Sequence, residues 1–455
     1  MKIVVCGAGK LGYAVIAALK QEAKYEIILI DREESVLRDA CNALDVHGVC
    51  GDAAEEAVLR RAGVPDVDLV IALTGDDAAN IRSASTAGAL GVYHTMARVR
   101  EPNHRKEGSI VARHLGIRLV LNPEREAAME IARLLRLPAA VYAETFAAGR
   151  AELVAFRVTE NDRVLLGSSV AKVLQTIHLP VLFGIVVRGE ETFIPRGDFY
   201  LQEGDLVYVL GQPGDIMAFF TAIGKYVGKV DRCMIIGGGE IAYYLGKALE
   251  GMGIKSAIIE TNPDRVALLR ELLPECDIIQ GDGANDRTLL ERHITTMGAV
   301  AALTGRDEQN LLVGMHAGRM GVARIIAKIN RSGYRRMAMD MGIERIVMPQ
   351  EIIAERVIEY VRALQNGRDS DLTAMYRLAA GKAEAMEFMV GEDCPVRGKP
   401  FSSLAFRAGV LVACIIRDNA LIIPSGNDHL EAGDSVVILS SGAHAERLAD
   451  VFDMD

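Results

Sequence analysis

Short apolar runs alternate with longer amphipathic stretches in the N-terminal part of the chain. The apolar runs predict strands at Ile3–Cys6, Ile27–Ile30, Val46–Cys50 and Leu69–Leu73. The stretch LGYAVIAALKQEA lies between the first two runs and repeats apolar residues at helical spacing, with Val15, Ala18 and Leu19 on one face. Because strands alternate with helices, this region predicts a parallel sheet that helices cover on both faces.

Two longer helices are predicted further along, one in each half of the chain. Their apolar residues are Ala127, Ile131, Leu134 and Leu135 in the first, and Ile353, Val357, Val361 and Leu364 in the second. Stripes of this kind are typical of packing in a core or at an interface. We expect these helices to pack between neighbouring lobes, within one chain or across chains. The result would be a pseudo-symmetric pair of halves, and then a dimer or tetramer of chains.

Four motifs of the first half recur in the second half at a separation of 230 residues, as in Gly7 and Gly237. The motif GDA at 51–53 corresponds to GDG at 281–283. IALTGDDAAN at 71–80 corresponds to AALTGRDEQN at 301–310, and ARV at 97–99 to AKI at 327–329. Matches in one order and at one separation indicate an internal duplication.

A shorter β-rich region follows each alternating region. Turns that contain Gly, Asp or Pro separate apolar runs such as LFGIVV and LVYVL in the first half, and VACII and SVVIL in the second. These regions also correspond to each other, because Gly204-Asp205 matches Gly433-Asp434. Each half therefore ends in a predicted small α+β lobe.

The first predicted strand runs into a glycine-spaced turn, VVCGAGKLG. Gly7 allows a tight turn, Gly9 lets the backbone approach a pyrophosphate, and Gly12 lets the following helix pack closely on the strand. The helix N-terminus then offers unpaired N–H groups to a phosphate. Asp31 closes the second strand, where a carboxylate would bind ribose hydroxyls.

The second half contains the matching turn in the segment MIIGGGEIA, where Gly237, Gly239 and Ala242 correspond to the three glycines. Glu260 takes the acidic position. Because both halves carry an acid at the ribose position, neither is expected to prefer NADP. Lys10 in the first loop is matched by Glu240 in the second, and the lysine favours a bound phosphate while the glutamate opposes it.

The alternation, the duplication and the two loops together predict an α/β fold. It contains two Rossmann-like parallel-sheet lobes, each followed by a small α+β lobe. We place these lobes at residues 1–138, 139–224, 230–366 and 370–455. The internal boundaries fall near Pro138 and at Gly367–Ser370, and the segment IGKYVGKVDR joins the halves.

Charge and composition narrow the function. The net charge of −10 argues against a nucleic-acid partner, because phosphate backbones are bound by basic faces. The seven cysteines include no Cys-x-x-Cys pair, and the nine histidines show no His-x-x-x-His spacing, so no metal site is predicted. No apolar run reaches the ~18 residues of a membrane span, and no signal-peptide pattern opens the chain. We expect a cytoplasmic protein.

The ordered set GAGKLG, Asp31, GDA, ALTGDDAAN and ARV, repeated with a β-rich lobe after each copy, resembles the TrkA family. These are cytoplasmic regulatory subunits of bacterial potassium uptake systems, and each half resembles an RCK (or KTN) unit. The resemblance covers essentially the whole chain. It implies binding of NAD or NADH and of ATP or ADP. It also implies a homo-oligomeric ring beneath a Trk-type membrane potassium-conducting subunit, peripheral on the inner face of the bacterial cell membrane, with ligand exchange changing the gating.

The resemblance also implies a nucleotide site in each half. The first consists of Gly7, Ala8, Gly9, Lys10, Leu11, Gly12, Asp31, Gly51, Asp52, Thr74 and Arg98. The second consists of Gly237, Gly238, Gly239, Glu240, Ile241, Glu260, Gly281, Asp282, Thr304 and Lys328. Gly51-Asp52 would lie toward the adenine, Thr74 near the ligand, and Arg98 within reach of the phosphates. Glu240 and Lys328 predict weaker ATP binding in the second half, since lysine lacks the bidentate phosphate geometry of arginine.

Two other classes of protein stay open. One is an NAD-dependent oxidoreductase, which would need a proton donor and a substrate pocket beside the nicotinamide. The small lobes carry no paired histidine and carboxylate for that role, so no catalytic residue is predicted. The other is a nucleotide-sensing scaffold whose partner is not a channel. At Asp76-Asp77 two interpretations also remain, a cation ligand beside the nucleotide or a solvated loop carboxylate.

Overall fold

The structure is a computed structural model that describes residues 1–22, 25–100, 116–136, 140–225, 230–343, 345–366, 371–442, 445 and 447–453. The expected boundaries near Pro138 and at Gly367–Ser370 lie outside the described residues, as does part of the segment IGKYVGKVDR.

The first alternating region folds into a parallel sheet with helices between its strands. Its strands are β1 (Lys2–Cys6), β2 (Glu26–Asp31), β3 (His47–Cys50), β4 (Leu69–Ala72), β5 (His94–Arg98) and β6 (Leu119–Leu121). Its helices are α1 (Lys10–Glu22), α2 (Glu34–Leu44), α3 (Glu56–Arg61), α4 (Asp77–Ala89) and α5 (Pro123–Arg136). The strand order β3-β2-β1-β4-β5-β6 is that of a Rossmann sheet and brings the ends of β1 and β4 together.

An antiparallel five-stranded sheet follows, in the order β10-β9-β11-β8-β7. Its strands are β7 (Tyr142–Phe146), β8 (Ala151–Arg157), β9 (Leu182–Arg188), β10 (Glu191–Phe193) and β11 (Leu206–Gly211). The helices α6 (Val170–Ile177) and α7 (Pro213–Ala222) complete this small lobe.

The second alternating region repeats the first sheet, in the order β14-β13-β12-β15-β16-β17. Its strands are β12 (Arg232–Ile236), β13 (Lys255–Glu260), β14 (Asp277–Gln280), β15 (Ala299–Ala302), β16 (Ile325–Lys328) and β17 (Arg345–Val347). Its helices are α8 (Glu240–Gly251), α9 (Pro263–Leu272), α10 (Asp286–Glu291), α11 (Asp307–Arg319), α12 (Tyr334–Asp340) and α13 (Pro349–Asn366).

The second small lobe has the sheet order β18-β19-β22-β20-β21, which is that of the first small lobe read from its other edge. Its strands are β18 (Leu372–Leu378), β19 (Ala383–Met389), β20 (Val410–Arg417), β21 (Ala420–Ile422) and β22 (Ser435–Ser440). The fold class and the internal duplication predicted from the sequence are therefore confirmed.

The repeated Gly-Asp pair of the small lobes has a structural role. Asp205 is fully buried and accepts two hydrogen bonds from Arg188, both of 2.8 Å. Asp434 does the same with Arg417, at 2.9 and 2.8 Å. Because a buried carboxylate needs a partner of this kind, the pair fixes the turn before the last strand of each small sheet.

The chain divides into two compact units, and each contains one part of both halves. The alternating lobes form the unit 1–132 with 231–358, and the small lobes form the unit 133–230 with 359–455. The divisions fall inside α5 and α13, before the lobe limits expected from the sequence. At α5 the reason is visible, because Arg133 and Arg136 bind Glu144 and Glu152 of the small lobe.

Within the first unit, the two alternating lobes touch directly. The Tyr244 hydroxyl on α8 donates to the carbonyl oxygen of Arg100 over 3.0 Å, and the Asn122 amide donates to that hydroxyl over 2.9 Å. The apolar stripes of α5 and α13 are buried, with Ile131 and Val357 both at 0% exposure. The bonds of Tyr244 show that the two halves meet within one chain, and packing of these two helices between the lobes stays a prediction.

Within the second unit, the two small sheets share one apolar core. Leu153 and Leu210 of the first sheet belong to the same buried cluster as Cys414 and Leu439 of the second. Two matched backbone N–H groups are also bound across this contact. Ala379 donates to the Tyr208 hydroxyl over 3.0 Å, and Ala147 donates to the Glu387 carboxylate over 3.2 Å.

Candidate nucleotide-binding sites

The first glycine loop lies between β1 and α1, and its three glycines have different surroundings. Gly7 has φ +110°, a conformation that favours glycine, and its N–H donates to Ile30 O over 2.8 Å. A Cβ at Gly12 would lie 1.9 Å from Gly7 O, so the helix packs too closely for any side chain there. A Cβ at Gly9 would meet nothing within 4 Å. The open space at Gly9 fits the approach of a pyrophosphate to the backbone.

The second loop, between β12 and α8, repeats this arrangement with one change. Gly237 has φ +99°, and a Cβ at Gly239 would again meet nothing within 4 Å. Ala242, which replaces Gly12, is fully buried. Leu11 and Ile241 are the matched apolar residues, and both are 6% exposed, which anchors each helix on its sheet.

The acidic residue at the end of the second strand grips the glycine loop in both halves. Asp31 accepts hydrogen bonds from the backbone N–H groups of Ala8, at 2.7 Å, and of Glu33, at 2.9 Å. Glu260 accepts from the N–H of Gly238 over 2.6 Å and from Asn262 over 2.8 Å. Partial burial would raise the pKa of Glu260, but the backbone N–H groups of Asn262 and Gly238 outweigh it and lower that pKa.

The Gly-Asp pair after the third strand lies beside this acid. Gly51 donates its N–H to Asp31 O over 2.9 Å, and Gly281 does the same to Glu260 O over 2.9 Å. Asp52 has a lowered pKa, first because it accepts from the N–H of Ala54 and then because Arg32 lies 2.8 Å away. Asp282 accepts from the N–H of Ala284 over 2.9 Å. These bonds set the edge of the site toward which the adenine would lie.

A buried asparagine ties the ends of the fourth and fifth strands together. Asn80 is 0% exposed and accepts from the N–H of Thr74 over 2.7 Å. Its amide donates to the carbonyl oxygens of Thr74 and Arg98, at 3.1 and 3.0 Å. Sequence reasoning did not single out this residue, although the repeated motif ALTGDDAAN ends on it.

The same arrangement recurs in the second half. Asn310 accepts from the N–H of Thr304 over 2.9 Å and donates to Lys328 O over 2.9 Å. The two asparagines therefore position the predicted residues at the ends of the fourth and fifth strands in both sites.

The cations at the end of the fifth strand, Arg98 and Lys328, are partly buried. Arg98 donates to Glu124 over 2.9 Å, and both side chains are less than one fifth exposed. Arg98 Nε and Glu124 Oε2 are buried and have no hydrogen-bond partner among the described residues. Burial lowers the pKa of Lys328, against the opposing effects of Asp307 and Glu124. Glu124 comes from α5, so its role could not be inferred from the strand-end motif.

Asp76 and Asp77 have structural partners. The Asp76 side chain caps α4 and accepts from the N–H of Ala79 over 3.0 Å, which lowers its pKa. Asp77 accepts from the N–H of Arg100 over 2.7 Å and forms an ion pair with its side chain. In the part of the chain that the structure describes, no group of three or more histidine, cysteine or acidic residues is arranged to hold a metal ion.

The two loops differ in the neighbours of their charged residues. Lys10 is exposed, and its side chain has no hydrogen bond or ion pair within the described ranges. Glu240, at the matched position, binds Arg265 of α9 over 2.9 Å. Arg265 also donates its Nε–H to Gly238 O over 2.8 Å. Arg265 was not predicted, because it lies outside the glycine motif and its match in the first half is Val36.

Comparison with known proteins identifies this class of domain. The TrkA-N domain matches residues 3–123 and 233–349, and the TrkA-C domain matches 153–224 and 385–453. Both pairs are present in the same order, as the duplication requires. The chain belongs to the TrkA family.

Relatives match the chain from end to end. It is 30% identical to the Trk system potassium uptake protein TrkA homolog 2 of Methanosarcina mazei, covering 99% of this chain and 100% of that protein. It is 27% identical to the Trk system potassium uptake protein TrkA of Azorhizobium caulinodans, covering 99% of this chain and 98% of that protein.

Solved structures share the fold. The crystal structure of the GsuK RCK domain is 16% identical, with a TM-score of 0.63 over 97% of this chain and 92% of that chain. The GsuK channel bound to NAD gives the same TM-score of 0.63 over 97% of this chain and 77% of that chain. Among the described residues, no helix is both long and apolar enough to cross a membrane.

Proposed function

We propose that this protein is the cytoplasmic, nucleotide-binding regulatory subunit of a Trk-type potassium uptake system. It would bind to the membrane potassium-conducting subunit at the inner face of the membrane, as a homo-oligomer, and change its gating when NAD, NADH, ATP or ADP is exchanged. The supporting observation is the pair of glycine loops, each with open space at its middle glycine and an acid beside it. The full-length match to proteins named for potassium uptake supports the assignment to a potassium uptake system.

The residues present fit an adenine nucleotide in both halves. The N–H groups at the start of α1 and α8 would hold the pyrophosphate, since a helix N-terminus favours anions. Asp31 and Glu260 would accept hydrogen bonds from the ribose hydroxyls. Thr74 and Thr304 would line the other side of each site, held there by Asn80 and Asn310. We retain the remaining predicted site residues, and the lobe limits 1–138, 139–224, 230–366 and 370–455, as parts of this proposal.

Calorimetric titration of the full chain with each nucleotide tests the binding step. We expect saturable binding of at least one adenine nucleotide, and a chain that binds none would contradict the proposal. Potassium uptake by proteoliposomes of the conducting subunit, with and without this chain, tests the gating step. If the rate of potassium uptake changes neither with this chain nor with the nucleotide, the result would favour a nucleotide-sensing scaffold with a different partner.

The oxidoreductase alternative has its own test. An NAD-dependent enzyme should consume NADH when a carbonyl substrate is supplied. We expect the NADH absorbance to stay constant with a panel of carbonyl compounds, because the chain's relatives are named as transport proteins. Steady decay of the absorbance would favour the enzyme.

A further inference from the structure

Arg265 lies across the second glycine loop. Its Nε–H donates to Gly238 O over 2.8 Å, and one terminal nitrogen donates to Glu240 Oε1 over 2.9 Å. Both backbone polar groups of Gly238 are thus bound, because its N–H donates to Glu260. The guanidinium therefore lies beside the glycine loop, between Glu260 and the start of α8.

Among the described residues of the first half, no side chain makes the equivalent arrangement. The residue matched to Arg265 is Val36, which is exposed, and Arg32 is instead paired with Asp52. The cation of the first loop is Lys10, which stands on the loop itself. Each glycine loop therefore has a positive charge beside it, but from a different element. In the first half the loop itself carries the charge, and in the second half the neighbouring helix α9 carries it.

We propose that Arg265 is a phosphate-binding residue of the second site and that Glu240 holds it in place until a nucleotide arrives. This inference rests on the proposed function. The ligand class is an adenosine nucleotide with a diphosphate on the ribose 5′ side, which NAD, ADP and ATP share. The phosphate oxygens replace the Glu240 carboxylate as the partner of the guanidinium, and Glu240 turns toward solvent.

The chemistry of the pair supports this exchange. A guanidinium presents parallel N–H groups that match phosphate oxygens as well as they match a carboxylate. The Glu240 and Arg265 side chains are 33% and 31% exposed, so the ion pair between them is only partly shielded from water and contributes modestly. The open space at Gly239 leaves room for the phosphate next to both side chains.

The exchange makes a prediction that simple repulsion does not make. If Glu240 only repels phosphate, its removal improves binding whether or not Arg265 is present. If Glu240 acts by occupying Arg265, its removal improves binding only when Arg265 is present. A double-mutant cycle separates the two cases, because it isolates the coupling between neighbouring residues.

The test uses the full chain with Gly9→Val, which blocks the first loop, and calorimetric titration with ADP and with NAD. We expect Glu240→Gln to bind about fivefold tighter, and Arg265→Met about fivefold weaker, as for one partly exposed charge contact. We expect the double variant to bind like Arg265→Met alone. Arg270→Met is the matched control, since Arg270 lies on the same helix but donates to Ile278 O, and its affinity should equal that of the parent.

Arg265→Lys is a second variant, in case Arg265→Met disturbs folding. It keeps the positive charge but loses the parallel N–H groups of the guanidinium. Its affinity should fall between those of the parent and Arg265→Met. The inference is overturned if Glu240→Gln tightens binding equally with and without Arg265, or if Arg265→Met binds like the parent. A different result, no nucleotide binding by the unmodified chain, would instead remove the proposed function itself.

Discussion

In the two proposed sites, Gly9 and Gly239 are the residues at which an added side chain would enter the space proposed for the ligand without contacting the protein. Gly239 has φ −70° and ψ −176°, which any residue adopts, and neither glycine has a neighbour within 4 Å of an added Cβ. Valine at either position should therefore leave the fold intact and fill the space that a pyrophosphate needs.

We expect Gly9→Val to weaken nucleotide binding in the first half by roughly tenfold or more, because the backbone can no longer approach the phosphates. The melting temperature without ligand should not change. Titration calorimetry and thermal unfolding measure the two effects. Gly214→Val is the matched control, since Gly214 also has an open Cβ position but lies in the first small lobe. Equal affinity in parent and Gly9→Val would contradict this location for the site.

The second prediction for single residues concerns Asp31 and Glu260, the acids at the end of the second strand in each half. Asp31→Ala should weaken binding in the first half by about 1.5–3 kcal/mol, the value of a hydrogen bond to a charged group. Glu260→Ala should do the same in the second half only.

Because Asp31 also binds the N–H of Ala8, part of this loss could come from a looser loop. Asp31→Asn keeps the bond to the loop, since its carbonyl oxygen can still accept from Ala8, but it loses the bond from Glu33 and the charge. Affinity that survives Asp31→Ala, measured by calorimetry in the Glu260→Ala background, would show that the ribose lies elsewhere.

At the scale of elements, Asn80 joins two strand ends through a side chain that is fully buried. Asn80→Ala removes the acceptor of the Thr74 N–H and the donor to Arg98 O. We expect a loss of about 2 kcal/mol in the free energy of unfolding, because buried polar groups are left without partners. Chemical denaturation measures it, and Asn42→Ala on the exposed face of α2 is the control. A stability equal to that of the control would mean that water replaces these bonds.

The elements themselves were largely predictable from the sequence. The strand expected at Ile3–Cys6 is Lys2–Cys6, and that expected at Leu69–Leu73 is Leu69–Ala72. Strands of a parallel sheet are buried on both faces, so their apolar runs are continuous and stand out from the amphipathic helices between them. The internal duplication made the alternation of strands and helices easier to identify, because each element occurs once in each half.

Pairings between elements were not predictable in the same way. Arg98 meets Glu124, which lies on α5 beyond another strand, and Glu240 meets Arg265 of α9. Such contacts depend on how helices pack over the sheet, and neither partner belongs to a repeated motif. The asparagines could have been found, because Asn80 and Asn310 end the longest matched segment.

At the scale of the whole molecule, the two alternating lobes form one compact unit through Tyr244 and its neighbours. The family resemblance predicts that chains associate further, although the apolar stripes of α5 and α13 are already largely buried within one chain. We expect light scattering at micromolar concentration to report a dimer or a tetramer. A monomer at that concentration would contradict this prediction, although it would leave the pairing of halves within one chain untouched.

The last prediction concerns a division of labour between the halves. The first site has the free cation Lys10, and the second has Glu240, whose charge Arg265 balances. Lys328 also lacks the bidentate phosphate geometry that Arg98 offers in the first site. ATP carries more negative charge than NAD and should respond more strongly to these differences. We therefore expect ATP and ADP to prefer the first half, and the second half to be relatively better for NAD.

Each charge should change affinity by about 1 kcal/mol, close to tenfold for the pair, and by less at high salt. The exchange of Lys10→Glu with Glu240→Lys should reverse the preference. Calorimetry on the Gly9→Val and Gly239→Val backgrounds reads each half separately. Because Arg265 would lose its partner in Glu240→Lys and face a second cation, the gain for ATP should be greatest there. If the exchanged chain discriminates ATP from NAD in each half as the parent does, the charges of these loops do not set the preference.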